Sequence, residues 1–304
     1  MTTPLTGEQH EIRAGDYAAT VTALGATLRA LAHGNRDLVT TFDADELPPH
    51  GSGQLLCPWP NRVDHGSYTF EGATYQLAIS EPKLDNAIHG LTRFTLFDLV
   101  ERTEASVTLR SQGHGSQGYP FAVQADATYS LDAEGGLTVA VTATNVGSRP
   151  APWGTAHHPY LTVATALVDD SELSLPAAAW QPVDERLIPA GPPQDVSGTE
   201  YDFRASRKLA GTVLDTAFTQ LGRDADGLAW VHIAGGGART GMWLDASYSW
   251  VQVFTSDPLE PEHRRKAVAV EPMTCPPNSF VTGIDRIRLA PGDRVTHRWG
   301  LRSL

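Results

Sequence analysis

Glu271 has the most unusual sequence environment of the ionisable residues in this chain. It follows the apolar run Val268-Ala269-Val270 without a break, and a proline-rich segment begins at Pro272. A carboxylate at the end of a buried strand is costly unless it is paired or takes part in chemistry. The pattern therefore favours a functional carboxylate that can accept a proton.

A doubled histidine, His157-His158, offers a complementary proton donor two residues before Tyr160. Histidine is the natural general acid near neutral pH. Neighbouring residues of a strand point to opposite faces, so the two rings cannot easily bind one metal ion. We expect one ring in a cleft or core and the other outside. A purely structural pair, one buried and one exposed, is the alternative that these residues alone leave open.

Three further segments place polar side chains among turns. Arg62 follows Asn61 and a Pro-Trp-Pro sequence, and its guanidinium can donate paired hydrogen bonds to hydroxyl or carboxylate oxygens. His89 stands between an isoleucine and a glycine, and Asp215 follows a leucine. Each also has an ordinary explanation. Arg62 could form a surface ion pair, His89 could be a structural histidine, and Asp215 could cap a strand. None of the three indicates a site by itself.

Taken together, these segments resemble the aldose 1-epimerase (galactose mutarotase) family. The matching stretches are Pro60-Asn61-Arg62-Val63, Asn86-Ala87-Ile88-His89-Gly90, His158-Pro159-Tyr160-Leu161, Leu214-Asp215 and Glu271-Pro272-Met273-Thr274 through Pro277. One such motif is weak evidence, but five in the right order along nearly the whole chain are specific. The resemblance implies a large antiparallel β-sandwich, the galactose mutarotase-like supersandwich, with a sugar bound in a cleft on one sheet.

The same resemblance implies a role for each site residue. Glu271 matches the family's general base and His158 its general acid. The matching substrate-binding positions are Arg62, His89, Asp215, Asn61 and Tyr160. The chain departs from the family pattern at Leu161 and Cys275, where Phe or Trp and Gly are common, and both changes could alter the pocket. The Pro-Trp-Pro-Asn-Arg sequence and the doubled histidine are closer to bacterial branches of the family.

The reaction that the resemblance implies explains why an acid and a base are needed. Mutarotation opens a cyclic hemiacetal and closes it on the other face of C1. A base takes the proton of the C1 hydroxyl, an acid protonates the ring oxygen, and the roles then reverse, so we expect no cofactor and no metal. We expect the charges of Glu271 and Asp215 to favour the protonated form of His158. The aromatic candidates for stacking on the sugar are Trp59, Trp153 and Tyr160.

Three alternatives accompany this prediction. The first is a mutarotase for a sugar modified at C6, such as sulfoquinovose or a hexose 6-phosphate. The second is a sugar-binding sandwich without catalysis, although pure binding does not need an acid–base pair. The third is a glycoside hydrolase with Glu271 and Asp215 as its two carboxylates.

The elements that must position these residues are strands. Apolar residues alternate with small polar ones around Leu137, Val139 and Val141, which is typical of a strand with one buried face. The sequence around Gly72 predicts a hairpin, and residues 287–299, with Pro-Gly-Asp between two alternating runs, predict another. Helical signals are weak. We therefore predict an all-β protein. The resemblance implies that residues 1–304 form a single aldose 1-epimerase domain.

Composition and charge exclude several other classes of protein. The chain of 304 residues is 41% hydrophobic and carries a formal net charge of -12, which disfavours nucleic-acid and anionic membrane partners. No apolar stretch is long enough to span a bilayer, and the first residues do not resemble a signal peptide. Cys57 and Cys275 are the two cysteines. We expect a cytoplasmic monomer or homodimer with reduced thiols and a monosaccharide ligand.

Overall fold

The computed structural model describes residues 3–304 and consists mainly of antiparallel strands. The strands of this part of the chain, numbered β1 to β27 in order, are Gln9–Ala14, Tyr17–Thr22, Thr27–His33, Arg36–Asp37, Leu55–Leu56, Arg62–Asp64, Ser67–Phe70, Ala73–Gln76, Asn86–Ile88, Asp98–Arg102, Ser106–Ser111, Val123–Asp132, Gly136–Asn145, Ala151–Trp153, Ala156–His157, Tyr160–Leu161, Glu172–Ser174, Ala177–Trp180, Gln194–Asp195, Arg207–Lys208, Asp215–Leu221, Ala229–Gly235, Ala238–Leu244, Trp250–Phe254, Val268–Met273, Ile287–Leu289 and Arg294–Ser303. One short helix, α1, spans Ser279–Thr282, and 3-10 turns occupy Pro49–Gly51, Thr92–Phe94 and Val168–Asp170.

Two large sheets dominate the architecture. One has nine strands in the order β10-β11-β12-β13-β27-β23-β22-β17-β20. The other has eight, in the order β19-β18-β21-β24-β25-β15-β5, with β16 also paired to β25. A four-stranded sheet, β1 to β4, and three two-stranded ribbons complete the fold. The all-β antiparallel prediction is confirmed.

The core lies where the apolar faces of the two large sheets meet. Leu137, Val139 and Val141 of β13 are fully buried, as the alternation in the sequence predicts. They belong to one hydrophobic cluster with Val251 of β24 and Val270 of β25. Each fully buried aliphatic side chain of this kind stabilises the fold by about 1.5–3 kcal/mol. The cluster reaches from Ile12 to Leu301 in sequence and includes residues of both large sheets.

One of the two predicted hairpins forms and the other does not. Strands β7 and β8 pair as expected on either side of the turn at Gly72. Strand β26 instead pairs with β14, while β27 enters the nine-stranded sheet between β13 and β23. The Pro-Gly-Asp turn is therefore a change of sheet rather than a hairpin. A turn sequence reports a reversal of the chain, whereas long-range packing selects the strand's partner.

None of the helices in residues 3–304 has the length and apolar character that a bilayer crossing requires.

Candidate active site

Glu271 lies at the centre of the eight-stranded sheet. Its strand, β25, is buried on both faces, and Glu271 itself is only 2% exposed. It pairs in register with Gln252 of β24, and β24 pairs in turn with β21. Strands β15 and β16 flank β25 on the other side. Every neighbouring strand can therefore place side chains around this carboxyl group.

His158 faces Glu271 because it connects the two strands that pair with β25. Its Nε2 lies 3.3 Å from Glu271 Oε1, and both side chains are almost fully buried. The His158 ring packs edge-on against His89, with ring centroids 5.3 Å apart, and beside Tyr160 at 5.1 Å. A carboxyl and an imidazole in this arrangement can exchange a proton with each other and with a bound hydroxyl group.

The neighbouring His157 points into the opposite side of the sheet. Its Nε2 lies 2.8 Å from the Tyr129 hydroxyl, and its Nδ1 accepts a hydrogen bond from Trp299 Nε1 at 3.1 Å. The opposite orientation of the two histidines is confirmed. The expectation that the second ring lies outside is wrong, because the nine-stranded sheet covers it and supplies both hydrogen-bond partners.

Asn61, Arg62 and His89 come together through the pairing of two short strands. Strands β6 and β9 are antiparallel, so the residues at the start of β6 meet the residue that follows β9. The His89 amide donates to the Asn61 carbonyl at 2.8 Å. Gly90 then passes directly over Cys57, with a φ of 67°, and a Cβ atom there would lie 2.2 Å from the Cys57 carbonyl oxygen. Only glycine fits this close approach.

Asp215 enters the cleft from the first position of β21. Its Oδ1 accepts a hydrogen bond from Gln252 Nε2 at 2.6 Å, and its Oδ2 lies 3.8 Å from Arg62 Nη2. Gln252 thus stands between the two carboxyl groups, Asp215 and Glu271. Sequence reasoning missed Gln252, although an amide within the apolar run Trp250-Val251-Gln252-Val253 is the kind of signal that identified Glu271.

All seven residues that the sequence indicated as site residues line a cleft of ≈ 180 Å³. Its walls are His50, Asn61, Arg62, His89, His158, Tyr160, Asp215, Phe254, Leu259 and Glu271. Trp59 and Trp153 are core residues that do not line it, so Tyr160 is the one stacking candidate of the three that does. Sequence reasoning missed His50, Phe254 and Leu259. Phe254 packs edge-on against Tyr160, with centroids 6.5 Å apart.

Burial controls the electrostatics of the acid–base pair. Burial, followed by the charge of Asp215, raises the pKa of Glu271 well above 4.5, although Arg62 acts in the opposite direction. Burial, assisted by the charges of Arg93 and His50, lowers the pKa of His158 from 6.5 to about 3. The expectation that nearby carboxylates keep His158 protonated is therefore wrong for the free protein. Burial disfavours both the negative charge of Glu271 and the positive charge of His158. In the free protein, the proton that the pair shares is therefore bound to Glu271.

Several polar atoms at this cleft are buried without a hydrogen-bond partner. They are Glu271 Oε2, His158 Nδ1, His89 Nδ1 and Gln252 Oε1. Leaving a buried polar atom unpaired costs about 1–3 kcal/mol. A polar ligand bound in the cleft would supply hydrogen-bond partners for these four atoms.

A second cavity of ≈ 160 Å³ adjoins the cleft and shares His50, Tyr160 and Leu259 with it. His263, Lys266 and Glu262 also line this cavity. Nowhere in residues 3–304, the cleft included, are three His, Cys, Asp or Glu side chains grouped closely enough to hold a metal ion.

Comparison with known proteins identifies the family. The family model described as aldose 1-epimerase matches residues 8–302. The chain belongs to the aldose 1-epimerase family. Its members are carbohydrate epimerases, so this aldose 1-epimerase homologue is an enzyme of the isomerase class.

Two curated relatives show how the homologue compares with other members. It is 36% identical over 286 residues to YihR, an uncharacterized protein of Escherichia coli, and the match covers 94% of this chain and 90% of that one. It is 30% identical over 228 residues to galactose mutarotase of Mus musculus. That match covers 69% of this chain and 64% of the mouse enzyme, slightly less than two thirds of its length.

Solved structures confirm the galactose mutarotase-like fold of the homologue. An aldose epimerase homologue from C. elegans superposes with a TM-score of 0.87 at 21% sequence identity, covering 98% of both chains. Galactose 1-epimerase from Lactobacillus acidophilus gives a TM-score of 0.78 at 18% identity, covering 96% of this chain and 92% of that one. At these identities the likeness concerns the fold alone.

Proposed function

We propose that this protein is a mutarotase that interconverts the α and β anomers of an aldohexose, with Glu271 as base and His158 as acid. The observation that carries the proposal is the 3.3 Å contact between the two side chains at the cleft. The unpaired polar atoms beside them support it, because a bound sugar hydroxyl would satisfy them. The free thiols of Cys57 and Cys275 fit a protein that acts in the cytosol.

Each half of the proposed reaction moves two protons, one at Glu271 and one at His158. Glu271, as carboxylate, takes the proton of the C1 hydroxyl while His158, as imidazolium, protonates the ring oxygen, and the bond between C1 and the ring oxygen breaks. After rotation about the C1–C2 bond, the carbonyl closes on its other face. His158 then removes the proton from the C5 hydroxyl as this oxygen attacks C1. Glu271 returns its proton to the new C1 hydroxyl, which restores both groups.

The remaining cleft residues bind and orient the sugar. Arg62, His89 and Asn61 offer hydrogen-bond donors, and Asp215 offers an acceptor beside Arg62. The edge-packed rings of Tyr160 and Phe254 present an apolar surface on which a face of the sugar can pack. In the free protein the shared proton rests on Glu271, and it passes to His158 across their contact when the sugar is in place.

The pH dependence follows from this shared proton. Burial raises the Glu271 pKa above 4.5 and lowers the His158 pKa to about 3. Activity needs one proton on the pair, so it is lost when a second proton binds at low pH and when the last one leaves at high pH. We expect a bell-shaped kcat/KM profile with its acid limb below pH 4.5 and its alkaline limb well above it.

The profile is measured between about pH 3 and pH 9, with the uncatalysed rate subtracted at each pH, because acid and base also catalyse mutarotation without enzyme. An unperturbed pair would give limbs near 4.5 and 6.5, the ordinary values of the two side chains. Limbs at those two values would contradict a shared proton that rests on Glu271 in the free protein.

Polarimetry of freshly dissolved α-glucose and α-galactose tests the proposed function. With the protein present, we expect the optical rotation to reach its equilibrium value faster than in buffer. The absence of any acceleration with these two and with C6-modified sugars would overturn the proposal. It would leave the sugar-binding alternative, which affinity measurements address. Hydrolysis of a nitrophenyl glycoside would instead support the glycoside hydrolase, with Glu271 and Asp215 as its carboxylates.

A sugar with an anionic group at C6 is the second candidate substrate, and Lys266 is the observation in its favour. Lys266 lines the adjoining cavity, and it forms no ion pair within 4 Å with a carboxylate of residues 3–304. Glu262 lines the same cavity and balances the charge, which is why a neutral aldohexose is our first choice. For an anionic substrate we expect Lys266→Met to lower kcat/KM about tenfold for glucose 6-phosphate and to leave the value for glucose unchanged.

A further inference from the structure

Arg62 is held by a residue outside the cleft. Its Nε donates to Glu81 Oε2 at 2.9 Å and its Nη2 donates to Glu81 Oε1 at 3.0 Å, so the two side chains form a bidentate ion pair. Glu81 is absent from the cleft wall, and its side chain is 20% exposed while that of Arg62 is 10% exposed. A bidentate pair fixes the plane of the guanidinium as well as its position. Glu81 therefore determines which way the Arg62 donors face.

Glu81 is itself fixed by a tight turn. Residues 81–86 fold back so that the Glu81 amide donates to the Asn86 carbonyl at 2.9 Å and the Asn86 amide returns a bond at 3.3 Å. The fully buried Asn86 side chain donates from Nδ2 to Glu81 Oε2 at 3.2 Å. Arg186 reaches over from a distant loop and donates to Asn86 Oδ1 at 3.1 Å. The carboxylate is thus pre-positioned rather than free to follow Arg62.

Asp215 competes with Glu81 for the same guanidinium. Arg62 Nη2 lies 3.8 Å from Asp215 Oδ2, close enough for attraction but too far for a hydrogen bond. Burial lowers the Arg62 pKa, but the bond with Glu81 and the charges of Asp215 and Glu271 outweigh it and raise the pKa overall. If Glu81 did not hold it, the guanidinium would close on Asp215. The sugar would then lose a donor and an acceptor at once.

We propose that Glu81 is a positioning residue that holds Arg62 apart from Asp215 so that both remain available to sugar hydroxyl groups. This inference rests on the proposed function, because it assigns both partners to the sugar. Glu81 touches neither Glu271 nor His158, so it acts on substrate binding and not on proton transfer. Its loss raises KM and the sugar dissociation constant and leaves kcat nearly unchanged.

Glu81→Gln is the test, because glutamine keeps the size of the side chain and one acceptor oxygen. We expect KM for the best monosaccharide substrate to rise about tenfold, with kcat within about threefold of wild type. Glu71→Gln is the matched control, since Glu71 forms an exposed ion pair with Arg288 at 2.8 Å. The control should leave both constants unchanged. A wild-type KM in folded Glu81→Gln would overturn the inference.

The Arg62→Met background shows whether Glu81 acts through Arg62. In that background we expect Glu81→Gln to change KM by less than about twofold, because the group it positions is gone. An equal loss of affinity in both backgrounds would overturn the inference. Thermal unfolding is measured for each variant, and Glu81→Asp, which keeps the charge but shortens the reach, replaces a variant that fails to fold. It should raise KM in the same way.

The failure of this inference can be distinguished from failure of the proposed function. A wild-type protein that accelerates no mutarotation overturns the proposed function. The dissociation constant of the sugar, measured by calorimetry for wild type and Glu81→Gln, then still decides the role of Glu81. An active wild type with an unaffected Glu81→Gln variant overturns the positioning role and leaves the mutarotase proposal in place.

Discussion

Replacing Glu271 by Gln is expected to lower kcat of anomer interconversion by about 10²–10⁴-fold, the range typical of general acid–base catalysis. The amide has the shape of the carboxyl group but cannot take the proton of the C1 hydroxyl. Stability should change little. Burial raises the Glu271 pKa well above 4.5, so the substitution exchanges one neutral group for another as long as the proton rests on Glu271. KM should change far less than kcat, because Asp215 and Arg62 still bind the sugar.

The measurement is the initial rate of change of optical rotation at saturating sugar, beside a thermal unfolding curve. Glu71→Gln again serves as control, because it makes the same chemical change at an exposed ion pair with Arg288. A folded Glu271→Gln variant with near-wild-type kcat would refute the base assignment. A variant that loses activity only because it unfolds would show a lowered melting temperature, and the rate would then be compared at a temperature where both proteins are folded.

Local sequence patterns predicted the strands and the types of side chain that line the cleft. The alternation around Val139 appears in the structure as expected. Glu271 is buried, as the apolar run before it indicated, but it lies within β25, which continues to Met273, and not at the end of the strand. The five motifs contained all seven indicated cleft residues. The family resemblance supplied their roles, which the residues alone did not give.

The features that the sequence did not predict depend on contacts between residues that are far apart in the chain. His50 reaches the cleft from a 3-10 turn whose sequence carries no chemical pattern. The pairing of β26 with β14 joins strands that are far apart in the sequence, so no local turn signal could reveal it. The pKa of His158 depends on burial, which exists only in the folded chain. Counting neighbouring charges gave the wrong direction because burial outweighs them at this site.

The doubled histidine permits an unusually well-matched second test. We expect His158→Gln to lower kcat by about 10²–10⁴-fold, because the ring oxygen loses its proton donor. His157→Gln makes the same change one residue away, where the ring bonds with Tyr129 and Trp299 in the core. It should cost about 1–3 kcal/mol of stability through disrupted buried hydrogen bonds. Its kcat should stay within a few-fold of wild type at temperatures where it is folded.

The double variant Glu271→Gln, His158→Gln separates a cooperating pair from two independent groups. In the proposed mechanism the two proton transfers belong to the same ring-opening step, so removing either group disables that step. We therefore expect the double variant to be no more than a few-fold slower than the slower single variant. If the loss of kcat in the double variant equals the product of the two single losses, the groups act in separate steps. A large kcat loss in His157→Gln with normal stability would mean that the wrong histidine has been assigned as the acid.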